Sequence, residues 1–131
     1  MENRTKMTQE DKELLLKDLC ARLPYGVKVQ HQHEDYLDEI QTIERISRRY
    51  GEIETESVLG FVDDFKPYLR PMSSMTEEEK REYNLTKTLS IVDYPTLKSF
   101  DWLNKNMFDY RGLIEKGLAI EVTEENNPYK E

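Results

Sequence analysis

Residues 26–62, GVKVQHQHEDYLDEIQTIERISRRYGEIETESVLGFV, decide the fold. Val27 and Val29 alternate with Lys28 and Gln30. That two-residue period marks a strand with one face buried, and His31 and His33 continue its inward side. The stretch Asp38 to Arg49 reads two ways. Leu37, Ile40, Ile43 and Ile46 recur every three residues, as on a helix, yet Ile40-Gln41-Thr42-Ile43 is β-branched and follows a strand; strand is expected. After the turn at Gly51, Glu52, Glu54 and Glu56 alternate with Ile53, Thr55 and Ser57, which sends the glutamates to water, and Leu59 and Phe61 are expected to extend the apolar side. Short strands joined by tight turns form an antiparallel meander, with an SH3-like barrel as its expected closed form.

Working outward, Leu15, Leu16, Leu19, Cys20 and Leu23 recur at helical spacing, and Thr8 and Asp11 suit the first turn. Pro24 disfavours helix at the residue before it, so one amphipathic helix is predicted from Thr8 or Gln9 to Arg22. Residues 63–76 hold two prolines and two serines and read as an extended crossing segment. Thr76 and Glu79 have capping-box spacing, predicting a short solvated helix over Glu77 to Tyr83. Leu89 to Val92 is a candidate strand. Pro95 suits the first turn of a helix over Thr96 to Asn106, with Leu97, Phe100, Leu103 and Met107 on one face. Asp109 is expected to cap a shorter helix that buries Leu113, Ile114 and Leu118, with Gly117 ending it in the left-handed conformation. The prediction is an α+β fold: N-terminal helix, small antiparallel meander, C-terminal helices. It forms one domain over residues 1–131, with flexible ends at 1–7 and 123–131.

Composition narrows the function. A net charge of −8 over 131 residues repels a nucleic-acid backbone and an anionic membrane surface. No apolar run approaches the roughly 20 residues a bilayer span needs. The first twelve residues lack the apolar core of a secretory signal, and the single Cys20 cannot form an internal disulfide, so a cytoplasmic protein is expected.

Three stretches resemble a group of uncharacterised proteins of gut Bacteroidales genomes and their phages: LCARLPYGVKVQ (Leu19 to Gln30), FKPYLRPMSSMTEEEK (Phe65 to Lys80) and SFDWLNKNMFDYRGLIEKGLAIE (Ser99 to Glu121). The resemblance implies a bacterial or phage origin. The group has no assigned activity and offers no catalytic residues to carry over.

Candidate chemistry is sparse. His31 and His33, two apart on a strand, share a face, and with Glu34 and Asp35 they form the most metal-like cluster; a catalytic zinc takes three protein ligands, no third histidine exists, and a carboxylate such as Asp35 or Asp38 would have to bend back from the following turn. Surface or strand-end histidines are the plainer reading, and no cofactor is expected. Cys20, set among leucines, reads as an inert core thiol. No serine has a nucleophile elbow, and no glycine run matches a phosphate loop. With 27 acidic residues, adjacent carboxylates such as Asp63-Asp64 are expected from abundance.

Trp102 lies about 200° around the helix axis from Phe100, opposite the Leu97/Phe100/Leu103/Met107 stripe. Either the helix is sandwiched in the core, or Trp102, with Phe108 and Tyr110, forms an aromatic interface anchor. Arg45, Arg48 and Arg49 make a small basic spot for phosphate or an acidic partner. The preferred reading is a non-enzymatic interaction module with a protein partner or self-association. Two rivals stand beside it. One is an acidic phage or mobile-element effector that occupies a basic nucleic-acid-binding protein, and the other is a metal-dependent hydrolase using His31 and His33.

Overall fold

The computed structural model describes residues 7–33, 39–47, 49–87 and 96–130. Helix α1 spans Gln9–Arg22, and Thr8 caps it by accepting the Asp11 N–H at 3.0 Å. A 3₁₀ turn over Leu23–Tyr25 then ends on Gly26 at φ 73°, a left-handed conformation that glycine adopts without Cβ strain. Strands β1 (Lys28–His31), β2 (Ile40–Ser47), β3 (Glu52–Thr55) and β4 (Leu59–Phe61) pair antiparallel in sequence order, the expected meander.

The barrel does not close. Strand β5 is Phe65–Pro71, within the stretch read from sequence as an extended crossing segment, and with β6 at Phe108–Asp109 the sheet runs β4-β3-β2-β1-β5-β6. β5 lies antiparallel to β1 on one side. On its other side it is parallel to two short strands, β6 (Phe108–Asp109) and β7 (Ile120–Glu121). Two prolines hid this strand. Pro67 sits opposite Val29 inside the sheet, where a residue without an N–H is ordinarily excluded. It fits because the neighbouring pair, Lys28 and Tyr68, turns its N–H and C=O toward each other. In an antiparallel ladder the Val29–Pro67 pair then points its polar groups apart.

Alternation also resets at two places. A bulge between Ile43 and Arg45 shifts the β2 register, and Gln41 and Ile43 face inward while Ile40 is 48% exposed. Residues three apart cannot share a strand face, so Ile40 and Ile43 were never both core. The buried Gln41 amide is satisfied by the Thr55 hydroxyl. In β4, Gly60 pairs with Ile53 and faces the core, which turns Leu59 and Phe61 outward to 66% and 54% exposure. That corrects the expectation that these two extend the buried side.

The core gathers Leu15 and Leu19 of α1 against Val27, Val29, Ile43, Ile53, Phe65 and Leu69 of the sheet, closed by Met107, Leu113 and Leu118. Helix α2 spans Glu77–Leu85 with the expected Thr76/Glu79 capping box. Helix α3, Leu97–Lys105, buries Ser99, Leu103 and Asn104, whereas Leu97 is 85% exposed. The buried face is therefore rotated from the predicted stripe. α2 and α3 are tied where the Thr96 hydroxyl donates to Thr86 O at 2.6 Å and the Thr86 hydroxyl to Ser99 Oγ at 2.9 Å. Residues 113–117 are a series of turns rather than a helix, although Asp109 does accept the Leu113 and Ile114 N–H groups at 2.9 Å each. Gly117 takes φ 75°, as predicted. The candidate strand Leu89 to Val92 lies outside the described residues. No helix among the described residues is long and apolar enough to cross a membrane.

Candidate functional site

The site grows from a row of aromatic side chains. Phe108 in β6 is fully buried, and the Trp102 indole of α3 stacks on it with centroids 5.5 Å apart and planes 12° from parallel. Tyr83 of α2 also meets the Trp102 ring, with centroids 5.7 Å apart. Trp102 is half-buried, so its two-faced helix is clasped between α2 and β6, and the indole is a bracket more than a free anchor. Phe108 does not reach the surface, which corrects its place in an aromatic interface.

Phe108 in turn fixes a cation. The Arg70 guanidinium of β5 lies 4.2 Å from its ring centroid. Both terminal nitrogens donate to the Glu79 carboxylate at 2.7 Å, a planar two-point pair. This hydrogen-bonded guanidinium holds the Glu79 carboxyl down to about 2, from an ordinary 4.5. Two-point pairing of this kind locks the Arg70 fork in place.

Tyr110, two residues after Phe108, belongs to a second cluster that sequence reasoning missed. Asp18 and Arg22 of α1 are both fully buried. Arg22 donates to the two Asp18 oxygens at 2.8 and 3.0 Å and to Phe108 O at 2.7 Å. Arg111 reaches the same carboxylate at 3.1 Å, and the Tyr110 ring lies beside both guanidinium groups, at 5.4 and 4.9 Å. The Tyr110 hydroxyl donates to Asn104 Oδ1 at 2.9 Å. Arg22 Nη1 is the one buried side-chain nitrogen or oxygen among the described residues without a hydrogen-bond partner. A signal did exist: Leu15, Asp18, Leu19 and Arg22 fall at i, i+3, i+4 and i+7, so the charged pair sits on the apolar stripe itself.

Beside Arg70 opens a cleft of about 680 Å³. One wall is the exit of α3, Lys105, Asn106 and Met107, where Met107 reverses the chain at φ 61° and its carbonyl accepts the Arg70 N–H at 2.7 Å. The opposite wall is the C-terminal segment from Val122 to Lys130, with Tyr25 contributing from the turn after α1. Among the described residues, the Lys105 and Lys130 ammonium groups are paired with no carboxylate, and Glu124 is the only acid lining the cleft.

Residues 123–130, expected to fray, are held at this wall by Tyr129. Its phenol accepts the Lys28 N–H at 3.0 Å and donates to Tyr68 O at 2.8 Å, bridging β1 and β5 where the two strands would otherwise bond directly. Burial pushes the Tyr129 phenol well above its ordinary value, so it stays protonated and keeps donating.

The other predicted residues stand apart from this cleft. His31 is buried, its ring edge-on to Phe65 at 4.8 Å, and its Nδ1 accepts the His33 N–H at 2.9 Å; His33 is exposed. Among the described residues no three His, Cys, Asp or Glu side chains come together to hold a metal, and Asp35 and Asp38 lie outside those residues. Arg45 is exposed and pairs loosely with Glu54 at 3.4 Å, Arg49 lies over the Tyr50 ring at 5.3 Å, and Arg48 is outside the described residues. Cys20 is half-buried on the flank of α1 instead of in the core.

Comparison with protein-family models, with curated proteins and with solved structures finds no match to this chain.

Proposed function

We propose that this protein is a non-catalytic binding module whose working surface is the cleft between the exit of α3 and the C-terminal segment, and that it holds an anionic partner there. One observation carries the reading: a chain of net charge −8 gathers Arg70, Lys105 and Lys130 around one cleft, two of them without a carboxylate partner among the described residues. In so acidic a molecule, unpaired cations at a concave site focus a local positive potential. The amides nearby, Asn106 and Asn127, are uncharged groups that orient a ligand without doing chemistry on it.

Titration with inorganic phosphate and with a glutamate-rich peptide, followed by amide chemical shifts, tests this. Saturating shifts are expected at residues 105–107 and 122–130, weaker at high salt and absent in the Lys105→Glu/Lys130→Glu double variant. Shifts confined to the outer sheet face, or none, would refute it.

A second reading has its own observation. On the outer face of the meander, exposed Leu59 and Phe61 stand directly opposite Glu54 and Glu52. An apolar pair framed by carboxylates suits a basic protein partner, the effector reading. Capture of such a partner that survives Lys105→Glu/Lys130→Glu but is lost in Glu52→Lys/Glu54→Lys would favour this face over the cleft.

A further inference from the structure

Resting on the cleft as the binding surface, we propose that its occupant is a small organic anion, a carboxylate or phosphate head on a planar apolar body, and that residues 123–130 are a strap whose docking is linked to that occupant.

The size argues for a small molecule. About 680 Å³ lies within the roughly 300–1,000 Å³ range of small-ligand sites. The lining is divided by chemistry. Lys105 and Lys130 supply two charges for an oxyanion, while Met107, Val122 and the rings of Tyr25 and Tyr129 offer apolar surface for a flat body. Two amides have one polar end committed and one left for a ligand. Asn106 Nδ2 donates to Trp102 O at 2.9 Å, which leaves its Oδ1 as an acceptor. Asn127 Oδ1 accepts the Tyr129 N–H at 3.0 Å, which leaves its amide nitrogen as a donor.

Five of the twelve residues lining the cleft belong to the strap, so its undocking leaves an incomplete site. The strap is also lightly held. Val122 N–H donates to Leu69 O at 2.8 Å at its root, and the Tyr129 phenol bridges Lys28 and Tyr68 near its end. Between these points its hydrogen bonds are internal: the Thr123 hydroxyl and carbonyl take the Asn126 N–H, and Asn127 O takes the Lys130 N–H at 3.4 Å. A ligand that touches Lys130 and Asn127 therefore binds only the docked form. By mass action it must favour docking by the same factor that it gains in affinity.

The test uses the full chain with phenyl phosphate and benzoate as ring-bearing probes, inorganic phosphate and acetate as bare heads, and a glutamate-rich octapeptide. Affinity is measured by calorimetry and strap docking by hydrogen exchange at the Lys28 amide, which only the docked Tyr129 covers. At least one ring-bearing probe is expected to bind about tenfold tighter than its bare head. It should also slow Lys28 exchange by about 1 + [L]/Kd, near elevenfold at ten times Kd. Tyr129→Phe, with an unchanged circular dichroism spectrum, should weaken that probe severalfold. Binding that leaves Lys28 exchange unaltered overturns the strap while sparing the cleft, and tighter binding of the octapeptide overturns the small-molecule class. No binding by any probe, or binding that survives Lys105→Glu/Lys130→Glu, overturns the cleft reading itself.

Discussion

Replacing Tyr129 by phenylalanine removes one oxygen and leaves the ring, so the cost isolates the phenol bridge. The oxygen serves two backbone groups, the Lys28 N–H at 3.0 Å and Tyr68 O at 2.8 Å. A buried backbone group stripped of its partner costs about 1–3 kcal/mol, and water reaching the half-exposed strap recovers part of it, so the pair is worth about 2–3 kcal/mol. At about 2.1 cal/mol/K per residue, 131 residues unfold with an entropy of about 0.28 kcal/mol/K, and the expected loss in Tm is about 7–11 °C. Urea unfolding and hydrogen exchange at Lys28 provide the assay, with Lys28 the amide whose protection falls most. The phenol titrates higher in the folded chain than its ordinary 10.0, so the folded state holds that proton more tightly. The stability it confers is complete below pH 10 and declines as pH rises above that. Tyr129→Phe should flatten this alkaline decline, with Tyr68, also raised by burial, keeping a share. A variant within about 0.5 kcal/mol of wild type, with Lys28 still protected, would refute the bridge.

Asp18→Ala strands Arg22 and deprives Arg111 of its carboxylate, and a loss of about 3–5 kcal/mol in denaturant unfolding is expected, against a near-neutral outcome if the pair were solvated. Between pH 4.5 and 2 the protein should lose stability as Glu79, held near 2 by Arg70, takes up its proton; Glu79→Gln should be less stable at neutral pH and flatter across that window. Gly60→Ala places a methyl 2.9 Å from Cε2 of the fully buried Phe65 and 3.1 Å from Asp64 Oδ2, so a destabilisation of about 1–3 kcal/mol is expected, measurable as a fall in the urea midpoint. Trp102→Ala removes the bracket between Tyr83 and Phe108 and should cost about 3 kcal/mol or more, whereas an anchor facing solvent would cost little in thermal melting.

The meander and α1 were legible because their signals are local: a cap at Thr8, a proline after the last turn, and alternation in Val27 to Gln30 and Glu52 to Thr55. What escaped depends on distant partners. β5 was masked by Pro67, whose missing N–H matters only in light of its register with Val29. β6 and β7 are two residues each and exist because β5 offers them an edge. On α3, the Leu97/Phe100 stripe was the stronger hydrophobic pattern, yet Ser99 won the inward place because the Thr96 N–H and the Thr86 hydroxyl both donate to its Oγ. The cleft could not be read at all. Tyr25, Arg70, Lys105 and Lys130 belong to four separate segments, and nothing in their spacing announces that they converge.

β5 has one antiparallel and two parallel neighbours, and that mixed pairing sets an order of assembly. The hairpins from β1 to β4 join residues close in the chain and close their loops at little entropic cost. β6 and β7 must wait for β5, and the contact between Tyr129 and Lys28, separated by 101 positions, closes the longest hydrogen-bonded loop among the described residues. A contact closed over so long a loop is expected to form late, so Tyr129→Phe should speed unfolding more than it slows folding, which the two limbs of a urea chevron would show.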